Sequence, residues 1–401
     1  MRFIIHTQYY PPETGAPQAR LSEFAEELAR HGHEVTIMTA IPNYPLGRFY
    51  PGYKRLIHRE RIDNVSILRS WIYPSKSVKL IPRLSNYFSF VFSSLFTGTI
   101  LLPRADYIMT ESPPLFLGIS GYILSRFKGA RWIFNVSDLW PESAVRLGVI
   151  GEGLPLKMSE YLETFCYRKA WLVTGQSREI LNGVRKKVPN VQAYHFSNGV
   201  DSSLFDPALR SETVHQELGD GAECVAIYAG LHGIAQGLGQ ILEATEMLRD
   251  LEGKLKIVFV GDGPEKELLL SRSAGLKMVK LLPSQSKKEI PKLLASADIA
   301  IVPLKSYIPG AVPSKIYEAM ASALPVVLVA EGEAAKILDE TQSGIHISPG
   351  NIEEIAQAIR RLTVDCNFRK KLGENGLQAA KKRFDRKQIM KNFLTFLEDN
   401  P

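Results

Sequence analysis

Cysteine is scarce in this sequence: three residues in 401, at Cys166, Cys224 and Cys366. Their number is odd and their spacing wide, so neither a disulfide framework nor a zinc pattern fits them. A reducing cytoplasm is the natural setting. The N-terminus, Met1 to His6, lacks the long apolar stretch and small-residue cleavage site of an export leader, and proline arrives at Pro11. Tandem repeats and low-complexity segments are missing. Long uncharged runs are missing too, with one exception at 84–102, 19 residues flanked by Arg83 and Arg104. Its length permits a membrane span. Ser85, Asn86, Ser89, Ser93, Ser94, Thr97 and Thr99 dilute it, and a span would tear the first sheet between its third and fourth strands. A buried domain helix is favoured, with a helix lying on a membrane surface as the second reading.

What is present is ordinary for a soluble globular chain: 45% hydrophobic and 23% charged residues. This excludes disordered, collagen-like and multi-span classes. The length implies two or three domains, each with its own core. Charge is uneven. Residues 1–200 carry 24 Lys and Arg against 15 Asp and Glu, whereas 201–401 carry 25 against 27. Residues 51–83 alone hold Lys54, Arg55, Arg59, Arg61, Arg69, Lys76, Lys79 and Arg83 against Glu60 and Asp63. A basic half points to an anionic partner, either a membrane surface or a phosphorylated substrate, unless it is only a solvated face. Nucleic acid fits poorly, because few aromatics interleave with the basic run.

Short apolar runs alternate with helical patterns. Residues 2–7 read as a strand, 17–31 as a helix with Leu21, Phe24, Ala25 and Leu28 on one face, and 34–39 as the next strand. That is a βαβ start with a parallel sheet. Further strands are expected at 65–69, 106–110, 131–136, 171–174 and 192–196. The pattern restarts with strands at 223–229, 256–260, 278–282, 298–302, 325–329 and 344–347. The fold class is therefore α/β, two doubly wound Rossmann-like units, joined near 198–207 where Asn, Gly, Asp, Ser and Pro cluster.

Ligands of such sheets bind beyond the carboxyl ends of the strands, so the loops there carry the candidates. The first is 8–17, with Tyr10, Glu13, Thr14 and Gly15, long for a plain βα connection. The second is 135–143, where Asp138 and Glu142 can orient a hydroxyl or cap the helix beginning at Pro141. The third is 229–238, whose Gly230, Gly233 and Gly237 suit amides wrapped around a phosphate, with His232 as a ligand contact or a solvent-facing residue. The fourth is the tight turn Gly261-Asp262-Gly263-Pro264. The fifth is 307–321: Ser314 reads as an N-cap, and Lys315 and Glu318 share one helix face. Lys315 offers a cation for phosphate, and Glu318 an acceptor for two ribose hydroxyls.

Together the five loops resemble family 4 of the retaining glycosyltransferases, which have the GT-B fold. The nearest likeness is to the bacterial branch of O-antigen, capsule and exopolysaccharide synthesis, with its colanic-acid and fucosaminyl-type transferases. The shared text is Tyr10-Pro11-Pro12-Glu13, Gly32-His33-Glu34-Val35, Asp138-Leu139-Trp140-Pro141-Glu142, Gly-x-x-Gly-x-x-Gln-Gly at 230–237, and Pro313-Ser314-Lys315 with Glu318 following. The motifs keep their order over the whole chain. The resemblance implies an acceptor domain at 1–198, a nucleotide-sugar domain at 199–380, facing it across a cleft, and a helix in 381–401 that crosses back to the first domain. It implies acceptor contacts at Tyr10, Glu13, Thr14, Asp138 and Glu142. Donor contacts fall at Gly15, Gly230, His232, Gly233, Gln236, Gly237, Gly261, Gly263, Gly310, Ala311, Val312, Ser314, Lys315 and Glu318, with Asp138, Lys315 and Glu318 catalytic.

Three departures from the family pattern stand out. Gly310 replaces the first of two glutamates, leaving the amides of residues 310–312 to serve the sugar. Leu231 and Gln236 replace the cations of the diphosphate loop, which leaves that role to Lys315. The segment Val136-Ser137-Asp138 lacks the family histidine, and Asp138 takes its place. The expected reaction is transfer of a hexose-type residue, with retention, from a nucleoside diphosphate sugar (UDP ahead of GDP) to a polyprenyl-diphosphate-linked saccharide. It would occur at the anionic inner face of the cytoplasmic membrane, in lipopolysaccharide or capsule synthesis. No Asp-x-Asp occurs, so no metal and no cofactor are expected. The alternatives are a nucleotide-sugar epimerase of the same fold and a non-catalytic nucleotide or sugar binder.

Overall fold

A computed structural model describes residues 1–53, 55–77, 79–146 and 153–400. The chain divides into two units, Met1–Ser197 and Asn198–Pro401.

The first unit is built on β1 (Arg2–His6), β2 (Glu34–Ala40), β3 (Ile57–Ile62), β4 (Val65–Ser70), β5 (Tyr107–Ser112), β6 (Arg131–Val136), β7 (Leu172–Gly175) and β8 (Ala193–His195). Their order is β3-β4-β2-β1-β5-β6-β7-β8. All pairs are parallel except β3 with β4. The sequence reading missed β3. Its text, Ile-His-Arg-Glu-Arg-Ile, is too polar for a buried strand. It forms instead as the outer arm of a hairpin, where Ile62 pairs Val65 across Asp63-Asn64 and Asp63 turns at φ 50°. Arg59 and Arg61 of the basic run lie exposed on that arm. Arg69, by contrast, is fully buried and ion-paired to Glu60 at 2.5 Å. Lys54 lies outside the described residues.

The uncharged stretch at 84–102 becomes the helix Leu80–Leu101, which packs on the sheet and on the helix Leu117–Lys128. Its inward face carries Asn86, Phe90, Val91, Ser94 and Thr97. Two polar members of that face, Asn86 and Ser94, meet polar residues of the first strand and its loop. Gln8 donates to Asn86 at 2.9 Å, and His6 Nε2 lies 3.2 Å from Ser94 Oγ. Among the described residues no helix is long and apolar enough to cross a membrane.

The second unit is a six-stranded, wholly parallel sheet. Its strands are β9 (Cys224–Ala229), β10 (Leu255–Val260), β11 (Val279–Leu282), β12 (Ile299–Pro303), β13 (Val326–Val329) and β14 (Gly344–Ile347), ordered β11-β10-β9-β12-β13-β14. Alternation along these strands is strict. Val225, Ile227, Val258, Val302 and Leu328 enter one core, and Ala226, Tyr228, Ile257, Phe259 and Val327 enter the other. Helices cover both faces, as a buried parallel sheet requires. The strand order reverses between β9 and β12, so the loops that follow them splay to opposite sides and leave a crevice there.

Candidate active site

Three of the five candidate loops converge at that reversal point in the second unit. Gly230 follows β9 at φ 156°, and a Cβ there would strike the end of the Lys315 side chain. Lys315 begins the helix Lys315–Ala321 after β12, and its Nζ stands 5.9 Å from the centre of the Tyr228 ring. Glu318, one turn on, lines the same small crevice as Lys315, beside Ala229 and Val302.

The turn after β10 closes against the β9 loop. Gly261 has φ 155°, and any Cβ on it would collide with the Gly230 carbonyl and approach His232 Nε2. His232 knits the two loops: its N–H donates to the Asp262 carbonyl at 2.8 Å, and its own carbonyl accepts from Glu265 N–H at 2.9 Å. The Gly263 backbone runs hard against it. The His232 ring is fully buried, yet neither ring nitrogen has a hydrogen-bond partner. Burial, and then the nearby Lys266, push its pKa down, with Asp262 opposing. The ring is therefore neutral at pH 7, with one donor and one acceptor unspent. The ring thus stands with unspent hydrogen-bonding capacity beside the glycine turn. Of its two sequence readings, the solvent-facing one is thus corrected by burial.

Lys266 is a cation the sequence reading missed. Its Nζ donates to the carbonyls of Gly261 at 2.7 Å and Leu282 at 3.3 Å, beneath the glycine turn. Gln236 ends the β9 loop with a buried, unpartnered Oε1, packed against Gly233. Gly237 turns at φ 57°, and Ala235 accepts from Lys305 N–H at 2.8 Å.

Two details of the fifth loop differ from expectation. Ser314 stands at the N-cap position but makes no side-chain capping bond: its backbone is already helical, and its hydroxyl instead donates to Glu318 Oε1 at 3.3 Å. Proline before it and the turn at 308–311 set the entry angle, leaving the serine inside the first turn. The amide of Ala311 donates to Ile308 O at 3.1 Å, and Gly310 sits buried at φ 73°. Of the 310–312 amides expected to face the sugar, that of Ala311 is therefore engaged in the turn. Val312 is buried in the core.

In the first unit, the β1 loop is arranged otherwise than the resemblance implies. Tyr10 and Glu13 are buried. Glu13 accepts backbone amides from Tyr10 at 3.3 Å, Asn43 at 2.8 Å and Tyr44 at 2.8 Å. Burial raises its pKa despite these amides and Arg69, which pull it down. Its oxygens hold the β2 loop, and Tyr10 packs in the core. Thr14 and Gly15 remain exposed, and Gly15 is extended. Asp138 follows β6, half-buried, with Oδ2 accepting from Ser143 Oγ at 2.8 Å. Its pKa is raised, chiefly by burial, with Ser143 and the Leu139 amide opposing and Glu142 adding to it. Glu142 is exposed and opens the helix Glu142–Arg146, so the helix starts one residue after Pro141.

A larger polar cluster at the ends of β5, β6 and β7 escaped the sequence reading. Arg20 donates to Glu111 at 2.5 Å and to Ser137 at 2.8 Å, and Asn135 donates to Glu111 at 2.6 Å. Thr174 donates to Asn135 at 2.7 Å. The available signal was a carboxylate, Glu111, in the polar Thr110-Glu111-Ser112 end of a strand that begins apolar.

A parallel α/β sheet with glycine loops, a lysine and a glutamate gathered at its reversal point, preceded by a second α/β unit, is the architecture of the GT-B glycosyltransferases. Family comparison agrees. Residues 15–199 match the glycosyl transferase 4-like domain and residues 211–379 match glycosyl transferases group 1, so the chain belongs to this family. The putative colanic acid biosynthesis glycosyl transferase WcaI of Escherichia coli (strain K12) is 27% identical over 382 residues, covering 90% of this chain and 92% of that protein. Sucrose-phosphate synthase from Thermosynechococcus elongatus superposes with a TM-score of 0.75 at 17% identity, over 100% of this chain and 99% of that one. Anabaena HepE in complex with UDP-glucose does so with a TM-score of 0.71 at 17% identity, over 100% of both chains. At these identities the two solved structures show a shared fold.

Proposed function

We propose that this protein is a retaining, metal-independent transferase. It moves a hexose-type sugar from a nucleoside diphosphate sugar, UDP-linked in preference to GDP-linked, to a polyprenyl-diphosphate-linked saccharide. The product is a cell-surface polysaccharide of the O-antigen or capsule kind, made in the cytoplasm at the membrane surface. The observation that carries the reading is the placement of Lys315 Nζ against Gly230, with Glu318 in the same crevice. Glu318 accepts the ribose hydroxyls, and the Gly230 loop and Lys315 receive the diphosphate. Neutral His232 supplies a donor to a phosphate or sugar oxygen. Stabilising the charge on the departing diphosphate is the main electrostatic task. The acceptor oxygen bonds to the anomeric carbon on the face the diphosphate leaves, and its proton passes to the leaving phosphate oxygen. Asp138 orients the acceptor. The named role of the E. coli relative supports the polysaccharide, and the UDP-glucose held by HepE supports the donor.

The test is a thermal-shift series with UDP, GDP, ADP and TDP, with and without Mg²⁺, on wild type and Glu318→Ala. A ligand at a hundred times its Kd stabilises by about 2.7 kcal/mol. A shift with UDP, indifferent to Mg²⁺ and lost in Glu318→Ala, is expected. Full UDP affinity in Glu318→Ala overturns the site assignment.

A further inference from the structure

The inward face of the helix Leu80–Leu101 is mixed, with Phe90 and Val91 beside Asn86, Ser94 and Thr97, while its outward positions hold Ile81, Phe92, Phe96 and Ile100, exposed by 77%, 68%, 69% and 62%. A surface helix of a water-soluble domain keeps its outward face polar. Phe92, Phe96 and Ile100 recur every four residues, so they form one stripe. From Ile81 to Ile100 the stripe runs about 28 Å along the helix. Phe127, 67% exposed, extends it onto the neighbouring helix Leu117–Lys128, whose Lys128 Nζ donates to the carbonyls of Thr99 and Leu102. An apolar surface of this extent on one side of a domain marks an interaction site.

The charges around the stripe say what covers it. No Asp or Glu occurs in residues 64–105 or in 112–137, the segments that contain both helices. Lys76 and Lys79 precede the stripe, and Arg104 and Arg126 lie at its far end; all four are exposed, and among the described residues none is in an ion pair. Apolar side chains flanked by these cations, on helices that carry no carboxylate of their own, match a bilayer whose headgroups are anionic.

We propose that the outward face of Leu80–Leu101, with Phe127, docks the first unit on an anionic lipid surface. The helix lies in the interface with its phenylalanines among the acyl chains and its flanking Lys and Arg among the headgroups. This deepens the membrane part of the proposed function and assigns the contact to this helix pair, with Lys76 and Lys79 from the end of the basic run, rather than to the hairpin arm that carries Arg59 and Arg61. It is independent of the chemistry at Lys315 and Glu318.

The test is co-sedimentation of the full chain with vesicles of phosphatidylglycerol and phosphatidylcholine in equal parts, against pure phosphatidylcholine. Wild type pellets with the anionic vesicles, less so in high salt. The triple variant Phe92→Ser, Phe96→Ser, Ile100→Ser loses binding by at least about ten-fold. Its UDP thermal shift is unchanged, which separates loss of docking from loss of fold or of the donor site. Single Phe96→Trp shows blue-shifted emission on adding the anionic vesicles. Wild type that stays in the supernatant, or a triple variant that pellets undiminished, overturns the proposal. So does a triple variant that instead turns a dimer into a monomer by light scattering, since the face would then bind a second copy. A missing UDP shift in a wild type that still pellets counts against the donor reading alone.

Discussion

Lys315 and Glu318 sit three residues apart, at helical neighbour spacing, yet they serve different partners. Lys315 lies against Gly230 and the Tyr228 ring, while Glu318 takes the Ser314 hydroxyl. Gly230 and Gly261 make this possible, because each lets a neighbour occupy the place of a Cβ. Gly261→Ala forces the methyl into the Gly230 carbonyl. That variant is expected to melt earlier than wild type and to lose its UDP shift, read by thermal denaturation with and without nucleotide. The chemical types at this site were legible in the sequence: a glycine loop after a strand, a lysine and a glutamate one turn apart. Partners distant along the chain were not. Glu13 looks like a free carboxylate after β1, but the amides that consume it come from Asn43 and Tyr44, some thirty residues away. Arg20 and Glu111, 91 residues apart, give no local sign of their pairing.

At the scale of elements, parallel strands announced themselves because both their faces are buried and their text is continuously apolar. The helix Leu80–Leu101 was legible as a domain helix, but its mix of serine and phenylalanine did not say which side faces the sheet. His6 and Gln8 on the first strand and its loop decide it. His6 is fully buried, its Nδ1 has no partner, and burial lowers its pKa to about 3. The unfolded chain protonates this residue near its ordinary value of 6.5, the folded chain only near 3. Between those values the unfolded state binds the extra proton. Stability is therefore whole above pH 6.5 and falls as pH drops through the window, by up to about 1.4 kcal/mol per pH unit from this residue. His6→Gln keeps a hydrogen-bonding partner for Ser94 without the titration. Its urea midpoint is expected to decline less than that of wild type between neutral pH and about pH 5.

For the molecule as a whole, the sequence showed two α/β units and the place where one gives way to the next. Gly15 aside, the loops proposed to carry the donor residues belong to the second. Amide hydrogen exchange with saturating UDP is therefore expected to slow at 230–237, 261–265 and 315–318. Protection confined to residues 1–197 would refute the donor assignment. The hairpin arm β3 stayed hidden because an edge strand needs little apolar text. That same arm has a consequence for how the protein survives at high concentration. The first sheet ends on one side in β3, where Arg59 and Arg61 stand exposed, and on the other in β8, three residues long. A strand from another molecule would meet repelling guanidinium groups at one margin and almost no ladder at the other. The eight-stranded sheet is thus finished at both borders, and its unpaired backbone gives little template for polymerisation.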